Sequence, residues 1–360
     1  MRSVVGLVTL TTALGTSFAT DRSRLPGGYQ GFGAATPGGT HQPAFRVTTL
    51  DDAGPASLRE AVRSGRRHVV FDVAGDIVLG SPLVVTGAFV TIDGSTAPDP
   101  GITLRNHGMV LRGDRGAHDV IVRGLRIRDA RNDGIQIAYG AYNIVVDHVS
   151  VRGSGDGNID ITKQARDVTV SWSILAEPRG SQKNMLIKYD ASRVTLHHNL
   201  FVDARQRNPL VSTDDAGTPA TDLTLDMRNN LIWNWGGGSG TRITSGPRVN
   251  IVHNYYGAAR GDAADALIVC HDALPLAQVR NCPRAHRAPA YAHVAGNVLD
   301  GAARDVNLSG TMPMPYGAPR VETSAACHAA RAVLAEAGAR PLDAADRAHL
   351  ARISLPDCRS

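Results

Sequence analysis

Beyond its first residues, this 360-residue sequence lacks any apolar run of the roughly 20 residues that a membrane span requires. The marked apolar run, residues 4–13, follows Arg2 and precedes the small residues Ser17 and Ala19. This order is typical of a secretory signal peptide, whereas a membrane anchor needs a longer run. We therefore expect residues 1–19 to be a signal peptide and the protein to be secreted and extracellular, with no membrane partner.

Cysteine is absent before Cys270 and then occurs four times, at Cys270, Cys282, Cys327 and Cys358. No CxxC spacing occurs, so the sequence gives no indication of a zinc site. An even number of cysteines in an exported chain predicts two disulfide bonds. The neighbours Cys270 and Cys282 are the first pair that we expect.

Lysine is scarce, since the 38 basic residues include only Lys163, Lys183 and Lys188. The formal net charge is +5 and the isoelectric point is about 9.2. In an exported protein this balance favours a polyanionic partner such as an acidic polysaccharide or a nucleic acid. A composition that is rich in arginine and alanine throughout explains the same excess equally well.

Hairpin turn signals at the spacing that a β-sandwich needs are also missing. In their place, six β-branched runs superimpose: VIVRGLRI, IVVDHVSV, VTVSWSIL, VTLHHNLF, LDMRNNLI and VNIVHNYY. They start at Val120, Ile144, Val168, Val194, Leu225 and Val249, so they recur regularly along the chain. Because each run alternates as a strand does and no helical pattern lies between them, they predict a parallel β-solenoid.

The sixth position of the last three of these runs is asparagine: Asn199, Asn230 and Asn254. Asparagines at one position of successive coils predict a ladder, in which each side-chain amide bonds the next coil about 4.8 Å away.

Both ends of the chain predict covers for the solenoid. GPASLREAVRSG places Ser57 three residues before Glu60, a capping box that opens a short helix. Residues 325–353 are alanine-rich with helical spacing. We expect one main domain over residues 20–325, an N-terminal capping helix, and a C-terminal cover over residues 326–360.

Five charged residues recur at about one period and should form one patch on neighbouring coils. Asp133 and Asp156 are separated by close to one period, as are Asp160 and Lys183, and Arg207 follows Lys183 by the same interval. Three carboxylates that converge suit Ca²⁺, which prefers hard oxygen ligands. The alternative is a set of ordinary turn carboxylates paired with arginines.

At these residues the sequence resembles the pectate lyases of polysaccharide lyase family 1. The resemblance covers residues 26–260 and, more loosely, the C-terminal tail. Its motifs are GFGAATPGG, RVTTLDDAGPASLREAV, NIVVDHVSV, DGNIDIT, KNMLI, VTLHHNLF, RQRNP and RNNLIWNWG. It implies an all-β fold, a right-handed single-stranded parallel β-helix.

The resemblance also implies roles for the five charged residues. The calcium carboxylates fall on Asp133, Asp156 and Asp160, the substrate-binding lysine on Lys183, and the catalytic arginine of an Arg-x-Pro pattern on Arg207. The implied reaction is calcium-assisted β-elimination of de-esterified pectin, polygalacturonate, with Arg207 as the candidate base. A monomer with no nucleic-acid partner is expected.

One position departs from the resemblance. The family commonly has a second, substrate-binding arginine five residues after the catalytic one, and this chain has Ser212 there. Arg205 is the nearby candidate to bind substrate instead, although it lies on the other side of Arg207 in sequence.

Three alternatives stay open. The chain could be a β-helix that binds acidic polysaccharide without cleaving it, a lyase for another uronate polymer, or a glycoside hydrolase with two carboxylates and no metal. Histidine as a residue type can serve in acid–base chemistry near neutral pH, which makes His148, His197 and His198 candidates, but they lie in strand runs and a structural role is favoured. Trp172 shares the position of His148 and His198 and is interpreted in the same way.

Overall fold

In the computed structural model, the described residues are 28–180, 182–213, 220–237, 239–261, 265–270, 282, 288–299 and 311–357. The predicted signal peptide, residues 1–19, and Cys358 lie outside them. No helix in the described part of the chain is long and apolar enough to cross a membrane.

The described residues form short strands throughout, with a few helices at the two ends. The strands are β1 (Ala44–Val47), β2 (Arg67–Phe71), β3 (Gly75–Val78), β4 (Leu83–Val85), β5 (Val90–Asp93), β6 (Ile102–Arg105), β7 (Met109–Arg112), β8 (His118–Arg123), β9 (Leu125–Arg128), β10 (Ile135–Ala138), β11 (Tyr142–Asp147), β12 (Ser150–Arg152), β13 (Ile159–Thr162), β14 (Arg166–Ser171), β15 (Ile174–Ala176), β16 (Met185–Lys188), β17 (Ser192–His197), β18 (Leu200–Val202), β19 (Leu210–Ser212), β20 (Leu223–Arg228), β21 (Leu231–Trp233), β22 (Ser239–Thr244), β23 (Arg248–Val252), β24 (Tyr255–Gly257), β25 (Asp265–Val269), β26 (Tyr291–Ala295) and β27 (Val298–Leu299). The helices are α1 (Leu58–Ala61), α2 (Ala326–Glu336) and α3 (Ala344–Ala351).

The strands stack into three parallel sheets, which confirms the predicted right-handed parallel β-helix. The ten-stranded sheet contains β1, β2, β5, β8, β11, β14, β17, β20, β23 and β26. The nine-stranded sheet contains β3, β6, β9, β12, β15, β18, β21, β24 and β27, and the eight-stranded sheet contains β4, β7, β10, β13, β16, β19, β22 and β25. Each coil passes through these sheets in that order, and its inward aliphatic side chains fill one continuous core.

The predicted asparagine ladder is present in the turn between the ten-stranded and nine-stranded sheets. Asn199 Nδ2 donates to Asn230 Oδ1 (3.0 Å), and Asn230 Nδ2 donates to Asn254 Oδ1 (2.9 Å). The ladder continues one coil further than predicted, because Asn254 Nδ2 donates to Asn297 Oδ1 (3.0 Å).

The N-terminal segment lies across the outer face of the ten-stranded sheet. Gly33 N donates to Thr169 Oγ1 (2.9 Å), and Phe32 N donates to Thr195 Oγ1 (3.1 Å). A Cβ atom at Gly33 would lie 2.3 Å from the carbonyl oxygen of Ile144, so the contact requires glycine. Close packing against the ten-stranded sheet therefore explains the glycine at position 33 of the GFG motif.

Both predicted terminal helical regions form. Ser57 caps α1, since its hydroxyl accepts from Glu60 N (3.2 Å), while Glu60 Oε2 accepts from Ala56 N (2.7 Å). Helix α2 and the segment after it pack on the outer face of the nine-stranded sheet, around Trp233 and Tyr255. The C-terminal cover thus lies along the side of the solenoid.

Of the cysteines, Cys270 and Cys282 form the predicted disulfide bond, with their Cα atoms 5.7 Å apart. Cys327 is also disulfide-bonded.

Candidate active site on the eight-stranded sheet

The five charged residues that recur at the coil period lie at the start of the eight-stranded sheet. Four of them, Asp133, Asp156, Lys183 and Arg207, are on the loops that enter it, and Asp160 is on β13. A second asparagine ladder, which the sequence analysis missed, supports these loops. Asn158 Nδ2 donates to Asn184 Oδ1 (2.8 Å), and Asn184 Nδ2 donates to Asn208 Oδ1 (3.0 Å). All three amides are at most 1% exposed. Asn158 and Asn184 immediately precede β13 and β16, and Asn208 lies two residues before β19. Their spacings match the coil period and could have revealed them.

This ladder fixes the backbone beside the charged groups. Asp156 and Asp160 lie two residues on either side of Asn158. Lys183 immediately precedes Asn184, and Arg207 immediately precedes Asn208. Each rung therefore sets the height at which one coil presents its charge.

The acidic half of the site spans two coils. Asp133 Oδ1 accepts from Gly157 N (3.0 Å), so the carboxylate reaches the loop of the next coil. Its Oδ2 accepts from Gln136 Nε2 (2.9 Å). Asp160 points out of β13, is 7% exposed, and accepts at Oδ1 from Leu186 N (3.0 Å) on the following coil.

The carboxyl groups affect one another's protonation. Burial, followed by the negative charge of Asp133, raises the pKa of Asp160 to about 8, although Arg207 opposes this. Burial, together with the charge of Asp156, also raises the pKa of Asp133 against the hydrogen bond from Gly157. The cluster therefore has more negative charge than its surroundings compensate, and an added cation would favour the ionised forms.

The donor set fits a hard cation in its chemistry, since carboxylate oxygens are the ligands that Ca²⁺ prefers. As the side chains of the described residues stand, however, no three His, Cys, Asp or Glu residues converge closely enough to hold a metal ion together. The carboxylates therefore fit Ca²⁺ in ligand type and charge. To bind the ion, the carboxylate side chains of the two coils would have to move closer together.

The cationic half follows on the next coils. Lys183 Nζ lies 3.7 Å from Asp156 Oδ1, so the lysine borders the acidic group. Arg207 has a left-handed backbone (φ 63°), and its carbonyl oxygen accepts from Met185 N (2.8 Å). Its side-chain Nε is buried and has no hydrogen-bond partner among the described residues.

Arg205, the predicted substitute for the missing second arginine, is exposed in the loop before β19. Its side chain lies against Gly237 of the next coil, where a Cβ atom would be 2.4 Å from Arg205 Nε. Ser212 lies at the other end of β19, paired with Thr244. Arg205 and Ser212 are thus at opposite ends of this coil's segment.

Arg242 is a further cation near the site that the sequence analysis did not identify. It is half-buried on β22 and pairs with Leu210 of β19. Burial and the positive charge of Arg207 lower the pKa of Arg242. The interval from Arg207 to Arg242 is longer than the period, so the pattern gave no signal of their proximity.

The histidines lie at the turn between the ten-stranded and nine-stranded sheets, not at this site. Trp172 stacks on His198 with ring centroids 4.2 Å apart, and on His148 at 6.1 Å. Burial lowers the pKa of His197 to about 3 and that of His198 to about 4. The ring stacking and the lowered pKa values support a structural role for the three histidines and Trp172.

The sequence is similar to several fungal proteins. It is 38% identical over 218 residues to a probable pectate lyase C of Emericella nidulans, covering 59% of this chain and 48% of that protein. It is 36% identical over 237 residues to a probable pectate lyase C of Aspergillus terreus, covering 64% and 53%. The chain thus spans about half the length of the curated relatives it matches. No family model matches the sequence.

Solved structures share the fold. The major allergen of cedar pollen superposes with a TM-score of 0.65 at 21% identity, covering 90% of this chain and 97% of the allergen. A pectate lyase from Bacillus sp. N165, in complex with trigalacturonate, superposes with a TM-score of 0.61 at 18% identity, covering 86% and 98%. The structures confirm the β-helix fold, and the similarity to the fungal relatives confirms the resemblance to the pectate lyases.

Proposed function

We propose that this protein is a calcium-dependent pectate lyase that cleaves unesterified polygalacturonate by β-elimination. The observation that carries the proposal is the arrangement on consecutive coils of Asp133, Asp156 and Asp160, followed by Lys183 and Arg207. Similarity to probable pectate lyases at 36% and 38% identity supports it.

The reaction removes the C5 proton of a uronate, forms the C4–C5 double bond, and breaks the bond from C4 to the glycosidic oxygen, which takes a proton from water. The C5 proton is weakly acidic because the neighbouring carboxylate is negatively charged. Asp133, Asp156 and Asp160 would hold Ca²⁺, which would supply the positive charge that neutralises that carboxylate. Lys183, on the next coil, would add a second positive charge to the same group and stabilise the charge that develops on proton removal.

Arg207 is the candidate base, the role that the resemblance to the pectate lyases implies for the arginine of the Arg-x-Pro pattern. A guanidinium ordinarily keeps its proton in a protein. The neutral base is therefore scarce at neutral pH, and the rate is expected to rise towards alkaline pH.

The test is the ultraviolet absorbance of the unsaturated uronide during incubation with polygalacturonate at alkaline pH, with Ca²⁺ and with a chelator. We expect an increase in absorbance that the chelator abolishes. Arg207→Lys should lower kcat by about 10²- to 10⁴-fold while calcium binding is kept. If Arg207→Lys instead raised KM alone, the arginine would be a carboxylate-binding residue.

A second candidate function rests on Ser212, where the substrate-binding arginine of the resemblance is absent. A β-helix that binds polygalacturonate without cleaving it would show no unsaturated product on pectate or on methylated pectin. Equilibrium binding of trigalacturonate with no product formation would favour this function. Methyl esters carry no charge to bind a cation, so any cleavage should fall as the degree of esterification rises.

A further inference from the structure

The outward face of the eight-stranded sheet carries Lys188, a cation that the proposed site does not use. Ile187, the residue before it, is fully buried in the core. Because successive side chains of a strand point to opposite faces, Lys188 at the end of β16 lies on the outward face. It is half-buried there.

The register places Lys188 beside Ser212. Thr162 pairs directly with Lys188 on one side. On the other side Ile187 pairs with Val211, so the next residues along the two strands, Lys188 and Ser212, lie on adjacent coils about 4.8 Å apart. The position that lacks the expected arginine therefore has a lysine as its direct neighbour.

The surroundings of Lys188 suit a charged sugar. Thr162 and Ser212 are small hydroxyl residues that are only 4% and 5% exposed, so the longer lysine rises above its neighbours. The Lys188 Nζ lies 4.5 Å from the centroid of the Tyr189 ring, and Tyr189 is 38% exposed. A cation beside an exposed aromatic ring, above short neighbours, offers a charge-assisted contact to a carboxylate.

We propose that Lys188 binds a carboxylate of the polyuronate in place of the arginine absent at position 212. This carboxylate belongs to a different sugar unit from the one at Lys183, because Lys183 lies two residues before β16 and Lys188 is the last residue of that strand. The inference rests on the proposed function for its substrate. It makes Lys188 a residue that sets affinity, whereas Arg207 sets rate.

The experiment compares Lys188→Gln and Lys188→Arg with the wild-type enzyme, with Arg46→Gln as the matched charge control. Arg46 lies on β1 in an exposed ion pair with Asp72, 2.7 Å long, so its substitution removes the same charge from another sheet. The readouts are kcat and KM on polygalacturonate, and the Kd of trigalacturonate by titration calorimetry.

We expect Lys188→Gln to raise KM and Kd roughly tenfold, with kcat within about twofold, the loss of one charge-assisted contact. For both Lys188→Arg and Arg46→Gln, KM and Kd should stay near the wild-type values. Adding Ser212→Arg to Lys188→Gln should restore affinity if that variant keeps the wild-type melting temperature.

Unchanged KM and Kd in Lys188→Gln would overturn the inference. Equal losses in Lys188→Gln and Arg46→Gln would also overturn it, because the effect would then come from net charge. A wild-type protein that binds trigalacturonate but yields no unsaturated product would refute the proposed lyase activity, while the Kd values would still test Lys188. A wild-type protein that does neither would refute both.

Discussion

The two asparagine ladders use the same amide contacts at two corners of the coil. Asn199, Asn230, Asn254 and Asn297 stack in the tight turn between the ten-stranded and nine-stranded sheets. Asn158, Asn184 and Asn208 stack at the ends of the loops that enter the eight-stranded sheet. The first ladder lies in a turn of constant length, whereas the loops that lead to the asparagines of the second ladder differ in length and sequence.

This difference teaches how the solenoid separates stability from function. A buried amide that bonds both neighbouring coils holds the backbone at a fixed height. In the tight turn, that constraint serves the fold alone. Beside Asp160, Lys183 and Arg207, the same constraint places charged groups at coil spacing while the loop before them is free to vary.

The largest expected effect comes from Asn184→Ala in the second ladder. The change removes the bonds to Asn158, Asn208 and the Leu175 carbonyl from a fully buried site. Displacement of Lys183 and Arg207 should lower kcat/KM on the order of 100-fold in the folded protein. The measurement is kcat/KM normalised to the folded fraction, which urea unfolding gives. A normalised value near that of the wild type would contradict the prediction.

The matched substitution in the first ladder is Asn230→Ala. Its side chain accepts from Asn199 and donates to Asn254 and to the Leu196 carbonyl, so its loss should cost about 2–4 kcal/mol of unfolding free energy. Because this turn lies away from the site, kcat/KM of the folded fraction should stay within about twofold. A normalised loss as large as that of Asn184→Ala would show that the two ladders do not differ in function.

A smaller effect is expected at the last described rung of the first ladder, Asn297. This residue is half-buried and its Oδ1 accepts from Asn254 Nδ2 (3.0 Å). Water can partly replace the lost partner, so Asn297→Ala should lower the unfolding free energy by about 1 kcal/mol. Urea unfolding of this variant and of Asn230→Ala checks whether the loss of unfolding free energy grows with the burial of the asparagine. An equal loss in the two variants would contradict the prediction.

The smallest effect concerns Asp203, at the start of the loop that ends in Asn208. Burial alone would raise the pKa of Asp203, but hydrogen bonds from His349 and Asn234 and the charge of Arg352 outweigh it and lower the pKa below its ordinary value. A depressed folded-state pKa stabilises the protein above the unfolded-state value of about 3.9, and this stabilisation is lost as pH falls through the folded-state value.

The wild type should therefore exceed Asp203→Asn in unfolding free energy by about 1 kcal/mol at neutral pH, and this advantage should shrink below about pH 4. Denaturant unfolding of both proteins across acidic pH measures it. An advantage that stays constant through this range would rule out ionised Asp203 as its source.

Much of the fold could be predicted from the sequence because the solenoid repeats. The aligned runs indicated the ten-stranded sheet, and the asparagines at their sixth position indicated the first ladder. The second ladder was missed because the runs were aligned on one sheet, and loops of unequal length separate Asn158, Asn184 and Asn208 from that alignment.

The site was predictable only where it follows the period. The grouping of Asp133, Asp156, Asp160, Lys183 and Arg207 came from spacings close to one coil, and their roles stay predictions. Arg242 and Lys188 depend on which residues face outward and on the register between coils. Those properties arise when the strands pair, so a list of spacings does not contain them.

The contacts of residues 30–33 set an order of folding. The hydroxyl of Thr169 donates to the Gln30 carbonyl, and that of Thr195 accepts from Phe32 N, so both bonds join parts of the chain that are far apart in sequence. The Gln30 side chain in turn accepts from Glu322 N (2.7 Å). A chain that is synthesised from its amino end cannot complete these contacts until Thr169, Thr195 and Glu322 have been made, so residues 30–33 dock only after much of the β-helix is available.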